Sequence, residues 1–260
     1  MASAAIICNG DFPKKEYPLY LIRTADYVIC CDGAATAFMR NNVKIFGEER
    51  LPDAIIGDLD SLPKSMRGKY AGIIVQVEEQ DYNDLNKAFR YALMNYHDID
   101  TIHILGAGGK REDHTVGNLA YLMEYAKELN GLKEKELLAG VEIPHELDVD
   151  MISDWTTSFA ICSSTSFFVG NGREISIFSP DNTLTIKSEG LKWQTSGVVF
   201  DNWWKATLNI ADKDEVKLEL SHPAPVLIII MNLRFRKCET PLMEPARAMV
   251  SPFPEGRDLG

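Results

Sequence analysis

A short acidic stretch gives the first indication of chemistry in this sequence. Residues 57–61 read Gly-Asp-Leu-Asp-Ser and follow an apolar run, so that Asp58 and Asp60 stand two residues apart. If the chain stays extended there, both carboxylates point to the same side. Hard cations such as Mg²⁺ prefer oxygen ligands of this kind together with substrate phosphates. An Asx turn with solvated carboxylates is the alternative explanation, and the stretch alone leaves both open.

A second acidic stretch lies between a predicted strand and a predicted helix and contains Gln80, Asp81 and Asp84. A helix start would explain it, with Asp81 as the N-cap and Asp84 at the third helical position, where the helix dipole favours negative charge. The functional explanation is that Asp84 and Lys87, three residues apart, share a helix face. A carboxylate for a metal ion and an ammonium for a phosphate would then point into one cleft.

A glycine-rich stretch begins directly after an apolar run and continues into a predicted helix. Gly106, Gly108 and Gly109 would let backbone N–H groups approach a phosphate closely, and a helix N-terminus favours anions. Arg111 adds a guanidinium that can contact two phosphate oxygens at once. The structural alternative is a tight turn with Asp113 as the N-cap of the next helix. The stretch matches neither GxxxxGK[ST] nor GxGxxG, the two common nucleotide-binding patterns.

The elements that must position these stretches alternate between strands and helices in the first half of the chain. Short apolar runs predict strands at Ala4–Cys8, Tyr27–Cys31, Ala54–Gly57, Ile73–Val77 and Thr101–Leu105. The clearest helical patterns are Leu85–Tyr96 and Val116–Leu129. This alternation predicts an α/β domain with a mainly parallel sheet and helices on both faces. Because functional loops follow the carboxyl ends of such strands, the three stretches are expected to converge and to handle Mg²⁺ and a triphosphate.

The pattern changes near residue 145, where a charged segment gives way to short β-rich runs. These runs are Ser166–Val169, Glu174–Phe178, Thr183–Lys187, Ala206–Ile210, Glu215–Leu220 and Val226–Ile230. Turn signals such as Gly170-Asn171-Gly172 separate them, which predicts an all-β antiparallel sandwich. We therefore predict an α/β domain over 1–132, a linker or inserted helical segment over 133–147, a β-sandwich over 148–231 and a tail without clear periodicity over 232–260.

The bulk composition narrows the classes of function. The 260 residues carry a formal net charge of −11, which argues against a nucleic-acid partner because phosphate binding needs a basic surface. The five cysteines include no CxxC pair and are expected to be reduced, buried side chains. No apolar stretch approaches the roughly 20 residues of a membrane span, and the N-terminal apolar run is too short for a signal-peptide core. We predict a cytoplasmic protein without membrane contact.

Taken together, residues 57–61, 80–84 and 106–114 resemble the signature loops of the thiamine pyrophosphokinase family, in the same order and at compatible spacing. The likeness extends to residues 31–34 and to the run from 113 to 118. In the second half it includes residues 190–193, 203–204 and 207–209, so that it covers roughly residues 4–230 with gaps. Each motif alone is weak, whereas the set is specific.

The resemblance implies transfer of the pyrophosphoryl group of ATP to the hydroxyl of thiamine with the help of Mg²⁺. It also implies a homodimer with its active site where the subunits meet, the α/β domain binding ATP. By position, the implied catalytic residues are Asp58, Asp60, Asp81, Asp84, Lys87 and Arg111, and the four aspartates are the implied metal ligands. The implied nucleotide-binding residues are Asp32, Gln80, Gly106, Gly108, Gly109, Arg111 and Asp113. The implied thiamine contacts are Trp193, which stacks on the pyrimidine ring, and Asn209.

Some positions depart from the family, and other function classes stay open. Asn83 stands where the family usually has threonine, and Leu208 stands where some members have serine. A core position is the structural alternative for Trp193. A non-catalytic sensor of thiamine or a nucleotide is the alternative function, although a sensor need not keep metal ligands. A dinucleotide oxidoreductase would require GxGxxG after the first strand, where this chain has Asn-Gly-Asp-Phe at 9–12.

Overall fold

The computed structural model describes residues 2–144 and 146–232, and the chain divides into two compact units between Phe159 and Ala160. Apart from Asn232, the predicted tail over 232–260 lies outside the described residues. Within the described part of the chain, no helix is long and apolar enough to cross a membrane.

Strands and helices alternate through the first unit. Its elements are β1 (Ala2–Ile7), α1 (Glu16–Thr24), β2 (Tyr27–Cys31), α2 (Ala34–Phe46), β3 (Ala54–Gly57), α3 (Lys64–Lys69), a 3₁₀ turn (Ala71–Ile73), β4 (Ile74–Gln76), α4 (Asp84–Asn95), β5 (Ile99–Leu105), α5 (Glu112–Leu129), β6 (Asp148–Ile152) and β7 (Thr156–Ile161), whose last residues cross the boundary. The strand–helix alternation expected from the sequence is confirmed.

The sheet of the first unit has the strand order β7-β6-β5-β1-β2-β3-β4, and every pair in it is parallel except β6 with β7. The chain first builds outward from β1 to β4 and then resumes on the other side of β1 with β5. Ligands of open α/β sheets bind at such a switch point, outside the carboxyl ends of the strands. The loops after β1, β2, β3 and β5 therefore lie at the edge where a site is expected.

Burial on both faces fixes this sheet. Residues 4–7 of β1 are all fully buried, as expected for a central parallel strand covered by helices on both sides. One core cluster joins Val28 and Ile55 of the sheet to Ile22 of α1 and Phe38 of α2. Four of the cysteines, Cys8, Cys30, Cys31 and Cys162, are buried and free, as the sequence predicts.

The second unit is built from antiparallel strands. They are β8 (Thr165–Phe168), β9 (Glu174–Phe178), β10 (Ile186–Glu189), β11 (Ala206–Ile210), β12 (Glu215–Leu220) and β13 (Val226–Met231). β9 pairs with both β11 and β13, and β12 pairs with both β8 and β10. Alternate side chains of β12, Val216, Leu218 and Leu220, are buried, which is the period of a strand with one face in the core. The predicted antiparallel β character is confirmed.

Two boundaries differ from the sequence-based expectation. β6 pairs in parallel with β5 and belongs to the first unit, so the second unit begins at Ala160 rather than at residue 148. The segment 133–144 contains neither helix nor strand, which excludes the inserted helix. The carboxylate of Glu128 accepts hydrogen bonds from the three backbone N–H groups of residues 136–138. Arg90 donates to the carbonyl oxygens of Leu137 and Ala139. These contacts attach the segment to the first unit.

Candidate functional site

Three carboxylates from separate strand–helix connections meet at the carboxyl edge of the first unit's sheet. Asp32 follows β2, Asp58 follows β3 and Asp84 begins α4. One carboxylate oxygen of each lies within 4.8 Å of the other two. We call these three residues the acidic cluster. Oxygen atoms at this spacing could hold a hard divalent cation.

Asp32 is the most deeply buried member of the acidic cluster, with 3% of its surface exposed. Its Oδ2 accepts a hydrogen bond from the backbone N–H of Ser61, 2.8 Å from N to O, whereas within residues 2–144 and 146–232 no donor reaches Oδ1. Burial raises the pKa of Asp32, and the nearby carboxylates add to that shift against the opposing Ser61 hydrogen bond. A buried carboxylate oxygen without a donor is costly unless a ligand satisfies it.

Asp84 and Asp58 experience opposite environments. Burial raises the pKa of Asp84, and Lys87 opposes that shift. The Lys87 side chain is only 4% exposed, and its Nζ lies 3.7 Å from Asp84 Oδ1 and 3.3 Å from the carbonyl oxygen of Val77. The pKa of Asp58 is instead lowered, chiefly by the backbone N–H of Asp60. Lys87 is therefore buried against the acidic cluster, where its charge offsets part of the repulsion among the carboxylates.

The stretch after β3 is an Asx turn and does not stay extended. The strand ends at Gly57, Leu59 has a φ of 70°, and Asp58 Oδ1 accepts from the backbone N–H of Asp60, 3.1 Å from N to O. Leu59 is buried, which fixes the turn. Of the two conformations that the sequence left open, the Asx turn is therefore the one observed, and the extended chain that would place Asp58 and Asp60 on one side is not adopted. Asp60 and Asp81 do not join the acidic cluster, and their predicted roles as ligands stay predictions.

The helix starts also differ from the expected capping. Asn83, and not Asp81, is the N-cap of α4, and its Oδ1 accepts from the backbone N–H of Asn86 at 3.0 Å. Asp113 is not the N-cap of α5, because that helix begins at Glu112. The carboxylate of Asp113 instead pairs with Arg111, 3.1 Å from Nε to Oδ1, and this contact lowers the pKa of Asp113 to about 2.

The glycine-rich stretch forms a loop directly after β5 and packs against the turn that follows β1. Gly106 and Gly109 have φ values of 63° and 78°, a region in which other residues are strained. The backbone N–H of Gly10 donates to the carbonyl of Gly106 at 2.7 Å, and that of Asp11 donates to the carbonyl of Gly108 at 2.8 Å. The two loops therefore form one backbone-lined edge beside the acidic cluster's strands.

The turn at residues 9–11 was not predicted to belong to the site, because its sequence served only to exclude a dinucleotide fingerprint. Lys110 Nζ donates to the carbonyl oxygen of Asn9 at 3.0 Å, so this turn also fixes the lysine of the glycine loop. Its position after the central strand was the available signal, because every loop at this edge of the sheet can contact a ligand. Gln80 lies nearby, with its Nε2 3.5 Å from Asp58 Oδ2.

In the second unit, Asn209 holds the backbone of Trp193. The Nδ2 of Asn209 donates to the carbonyl oxygen of Trp193 at 2.7 Å, and its Oδ1 accepts from the N–H of Trp193 at 3.2 Å. Asn209 is buried, whereas 51% of Trp193 is exposed. A core role for the tryptophan is therefore excluded. Its ring is half exposed, and Lys192 Nζ lies 4.7 Å from the ring centroid.

A cavity of about 250 Å³ adjoins this tryptophan. Its lining residues are Trp193, Gln194, Thr195, Val198, Lys205, Ala206, Thr207, Leu208 and Asn209. Leu208 has a φ of 60° at an irregularity in β11 and is 79% exposed, so that its side chain projects out of the strand. A mainly apolar cavity beside an exposed indole ring suits a flat, aromatic ligand.

Comparisons with known proteins match both units to one family. Residues 19–132 match the model of the thiamin pyrophosphokinase catalytic domain, and residues 157–224 match that of the thiamin pyrophosphokinase substrate-binding domain. Among curated proteins, thiamine pyrophosphokinase 1 of Oryza sativa subsp. japonica is 29% identical over 141 residues, 48% of this chain and 53% of that protein. The chain thus spans about half the length of the curated relatives it matches.

Solved structures of the same name share the fold. Yeast thiamin pyrophosphokinase superposes with a TM-score of 0.66 at 17% identity, covering 89% of this chain and 86% of the other. Thiamin pyrophosphokinase from Candida albicans gives a TM-score of 0.65 at 18% identity, covering 88% and 89%. These matches support an N-terminal α/β fold followed by an antiparallel β region.

Proposed function

Since the chain belongs to the thiamin pyrophosphokinase family, we propose that it transfers the pyrophosphoryl group of ATP to the hydroxyl of thiamine, yielding thiamine diphosphate and AMP. The observation that carries the proposal is the acidic cluster of Asp32, Asp58 and Asp84 at the switch point of the first unit. Phosphoryl transfer depends mainly on positioned charge, and little covalent chemistry is asked of the protein.

The proposed metal is Mg²⁺, held by the carboxylates of the acidic cluster. Two observations support the fit: the close spacing of the three oxygens, and a buried Asp32 Oδ1 that no donor among the described residues satisfies. Bound there, Mg²⁺ would neutralise charge on the phosphates. Lys87 keeps the carboxylates close together before the cation arrives. Asp60 and Asp81 remain predicted further ligands, and both are exposed.

ATP is proposed to lie along the glycine loop, whose backbone N–H groups can face phosphate oxygens. Arg111 is exposed and already paired with Asp113, so its guanidinium can turn from that carboxylate to a phosphate without leaving solvent.

In the proposed step the thiamine hydroxyl oxygen attacks the β-phosphorus in line. The bond from that phosphorus to the oxygen bridging to the α-phosphate breaks, AMP keeps the bridging oxygen, and the hydroxyl proton passes to a carboxylate.

Thiamine is proposed to stack on the exposed ring of Trp193 beside the cavity of the second unit. Its aminopyrimidine is flat and its thiazolium is cationic, and an indole face attracts both. Both the oxygen and the NH₂ group of the Asn209 side chain bond to the backbone of Trp193, so we assign Asn209 to holding that residue in place. No observation favours the non-catalytic sensor.

Thiamine-dependent AMP release tests the proposal. We expect AMP from ATP and Mg²⁺ only when thiamine is added, with thiamine diphosphate identified by mass. Asp58→Asn should abolish the release, whereas Asp212→Asn, at an exposed aspartate of the second unit, serves as a matched control and should leave it unchanged. Thiamine binding without any AMP would support the sensor, and AMP release that ignores thiamine would point to a different acceptor.

The homodimer with its active site at the subunit interface, which the resemblance implies, stays a prediction, as does the cytoplasmic location. Light scattering coupled to size-exclusion chromatography tests the dimer directly. A mass of about one chain at concentrations that support turnover would contradict it.

A further inference from the structure

Two asparagine side chains connect the start of α4 to the glycine loop. Nδ2 of Asn83 donates to Oδ1 of Asn118 at 2.9 Å, and Nδ2 of Asn118 donates to the carbonyl oxygen of Ala107 at 2.8 Å. Asn83 immediately precedes Asp84 of the acidic cluster, and Ala107 lies between Gly106 and Gly108. The connection therefore runs from the predicted cation site to the predicted phosphate site.

The direction of the hydrogen bonds is fixed by their end points. The carbonyl of Ala107 can only accept, so Asn118 must turn its NH₂ group towards it and offer its oxygen to Asn83. At the other end the backbone N–H of Asn86 can only donate, so Asn83 must turn its oxygen there and its NH₂ group towards Asn118. Neither amide can flip without breaking a bond, so the arrangement is unique.

Capping alone does not explain this arrangement. An N-cap requires only the oxygen of Asn83, which satisfies the N–H of Asn86. Asn118 lies inside α5 and is 7% exposed, so its amide is buried for a purpose other than helix formation. Asn118 accepts a hydrogen bond on one side and donates one on the other, and each bond has a single possible direction. A buried amide bonded in this way holds its two partners at a fixed separation.

We propose that the Asn83–Asn118 pair positions the Asp84 carboxylate relative to the glycine loop, so that cation and phosphate are bound in a single geometry. This inference rests on the proposed function. The two asparagines act through Asp84 and the loop, and they are positioning residues that need not touch the substrate. A threonine at position 83 would fit the same scheme, because one hydroxyl can accept from the N–H of Asn86 and donate to Asn118.

Asparagine-to-aspartate substitutions separate positioning from capping. Asn83→Asp keeps the oxygen that caps α4 but turns an acceptor towards the acceptor Oδ1 of Asn118, so that the connection breaks. Asn118→Asp keeps the acceptor for Asn83 but removes the donor to Ala107. Asn83→Thr restores both bonds through its hydroxyl. Asn130→Asp, at the exposed end of α5, is the matched control, because its amide donates to the carbonyl oxygen of Ala126 in its own helix and, among the described residues, makes no contact with the acidic cluster or the glycine loop.

The expected result separates activity from stability. Asn83→Asp and Asn118→Asp should each lower kcat about 10- to 100-fold, the range in which small misplacements act. Both should also weaken binding of Mn²⁺, a paramagnetic substitute for Mg²⁺ followed by electron paramagnetic resonance without nucleotide. The melting temperature of Asn83→Asp should stay near that of the unmodified protein, and Asn83→Thr should recover kcat and Mn²⁺ affinity together.

Three outcomes would overturn the inference. They are unchanged Mn²⁺ affinity in Asn83→Asp, a loss of kcat that follows the melting temperature across all variants, and failure of Asn83→Thr to recover what Asn83→Asp loses. Failure of the proposed function would be seen in a different measurement, because the unmodified protein would then release no thiamine-dependent AMP. The Mn²⁺ comparison needs no turnover and tests the positioning by itself.

Discussion

At the scale of single residues, three aspartates of one cluster differ because their surroundings differ. Burial raises the pKa of Asp32 and Asp84, whereas the backbone N–H of Asp60 lowers the pKa of Asp58. The folded protein without a cation therefore retains protons on Asp32 and Asp84 more readily than the unfolded chain does. Ionisation of these two residues costs stability that a bound cation would return.

Asp32→Asn should therefore weaken function and strengthen the fold. The amide oxygen can still accept the hydrogen bond from the backbone N–H of Ser61. The substitution also removes a buried negative charge, which in the protein without metal is not compensated by a cation. As pH rises through the raised pKa of Asp32, the unmodified protein loses folding stability because a buried carboxyl group becomes charged, whereas the Asp32→Asn variant does not. At neutral pH we expect a melting temperature about 2–4 °C higher, as for a gain of about 1 kcal/mol in a protein of this size, together with loss of Mn²⁺ binding. Calorimetry without metal measures the melting temperature, and a value lower than that of the unmodified protein would contradict the expectation.

The affinity for Mn²⁺ should fall as pH falls. The loss should begin above about pH 4, the ordinary range of an aspartate, because the pKa values of Asp32 and Asp84 are raised. Binding at intermediate pH should release protons, which calorimetry in buffers of different ionisation enthalpy detects. A binding curve that is flat down to the ordinary aspartate pKa would show that these two groups do not hold the ion.

Trp193→Ala should mainly raise the KM for thiamine. Loss of a cation–π contact of about 0.5–2 kcal/mol corresponds to roughly a 2- to 30-fold increase, with little change in the KM for ATP. The matched control is Trp155→Ala, which removes a similarly exposed tryptophan from the first unit. A lysine ammonium lies over each ring, Lys15 over Trp155 and Lys192 over Trp193. Equal effects of the two substitutions would remove Trp193 from the thiamine site.

At the scale of elements, the site depends on how the loops after β1 and β5 fit together. A methyl group added at Gly10 would collide with the carbonyl oxygens of Gly106 and Gly108. Those collisions involve backbone, which cannot move aside as a flexible side chain can. The close approach of two loops, rather than either loop alone, therefore forms the predicted phosphate-binding edge.

Gly10→Ala should raise the KM for ATP about ten-fold or more, because the collision pushes the two loops apart and even a displacement of about 1 Å misplaces the groups that would hold the nucleotide. The matched control is Gly68→Ala in α3, where an added methyl group meets nothing within 4 Å and alanine favours the helix. Steady-state kinetics with varied ATP measures both. An unchanged KM in Gly10→Ala would place the nucleotide away from this edge.

Strands with a continuous or alternating apolar pattern could be predicted from the sequence, whereas a strand that carries charged residues in place of apolar ones could not. The bounds of β2, β3, β9, β11 and β12 match the apolar or alternating runs of the sequence. β6 was missed because it carries Asp148 and Asp150 in place of apolar residues, the second paired with His103 of β5 at 2.8 Å. The Asx turn after β3 was foreseen only as an alternative, because the left-handed backbone at Leu59 depends on burial of its side chain.

At the scale of the whole molecule, the sequence indicated which loops would converge but not which atoms would meet. Asp32 was assigned to the nucleotide, yet it joins Asp58 and Asp84, because the register of β2 beside β3 brings it there. Asp60 and Asp81 carry equally suggestive spacing and do not join the cluster. Spacing along the chain reports a shared face only where the backbone stays regular.

The central claim is that this chain moves two phosphates of ATP in one step. Phosphorus-31 magnetic resonance of ATP, thiamine and Mg²⁺ with the unmodified protein tests it most directly. We predict that AMP and thiamine diphosphate appear at equal rates, without ADP or thiamine monophosphate, and that Asp84→Asn abolishes both signals. Formation of ADP and thiamine monophosphate would contradict the claim, because the protein would then transfer a single phosphoryl group.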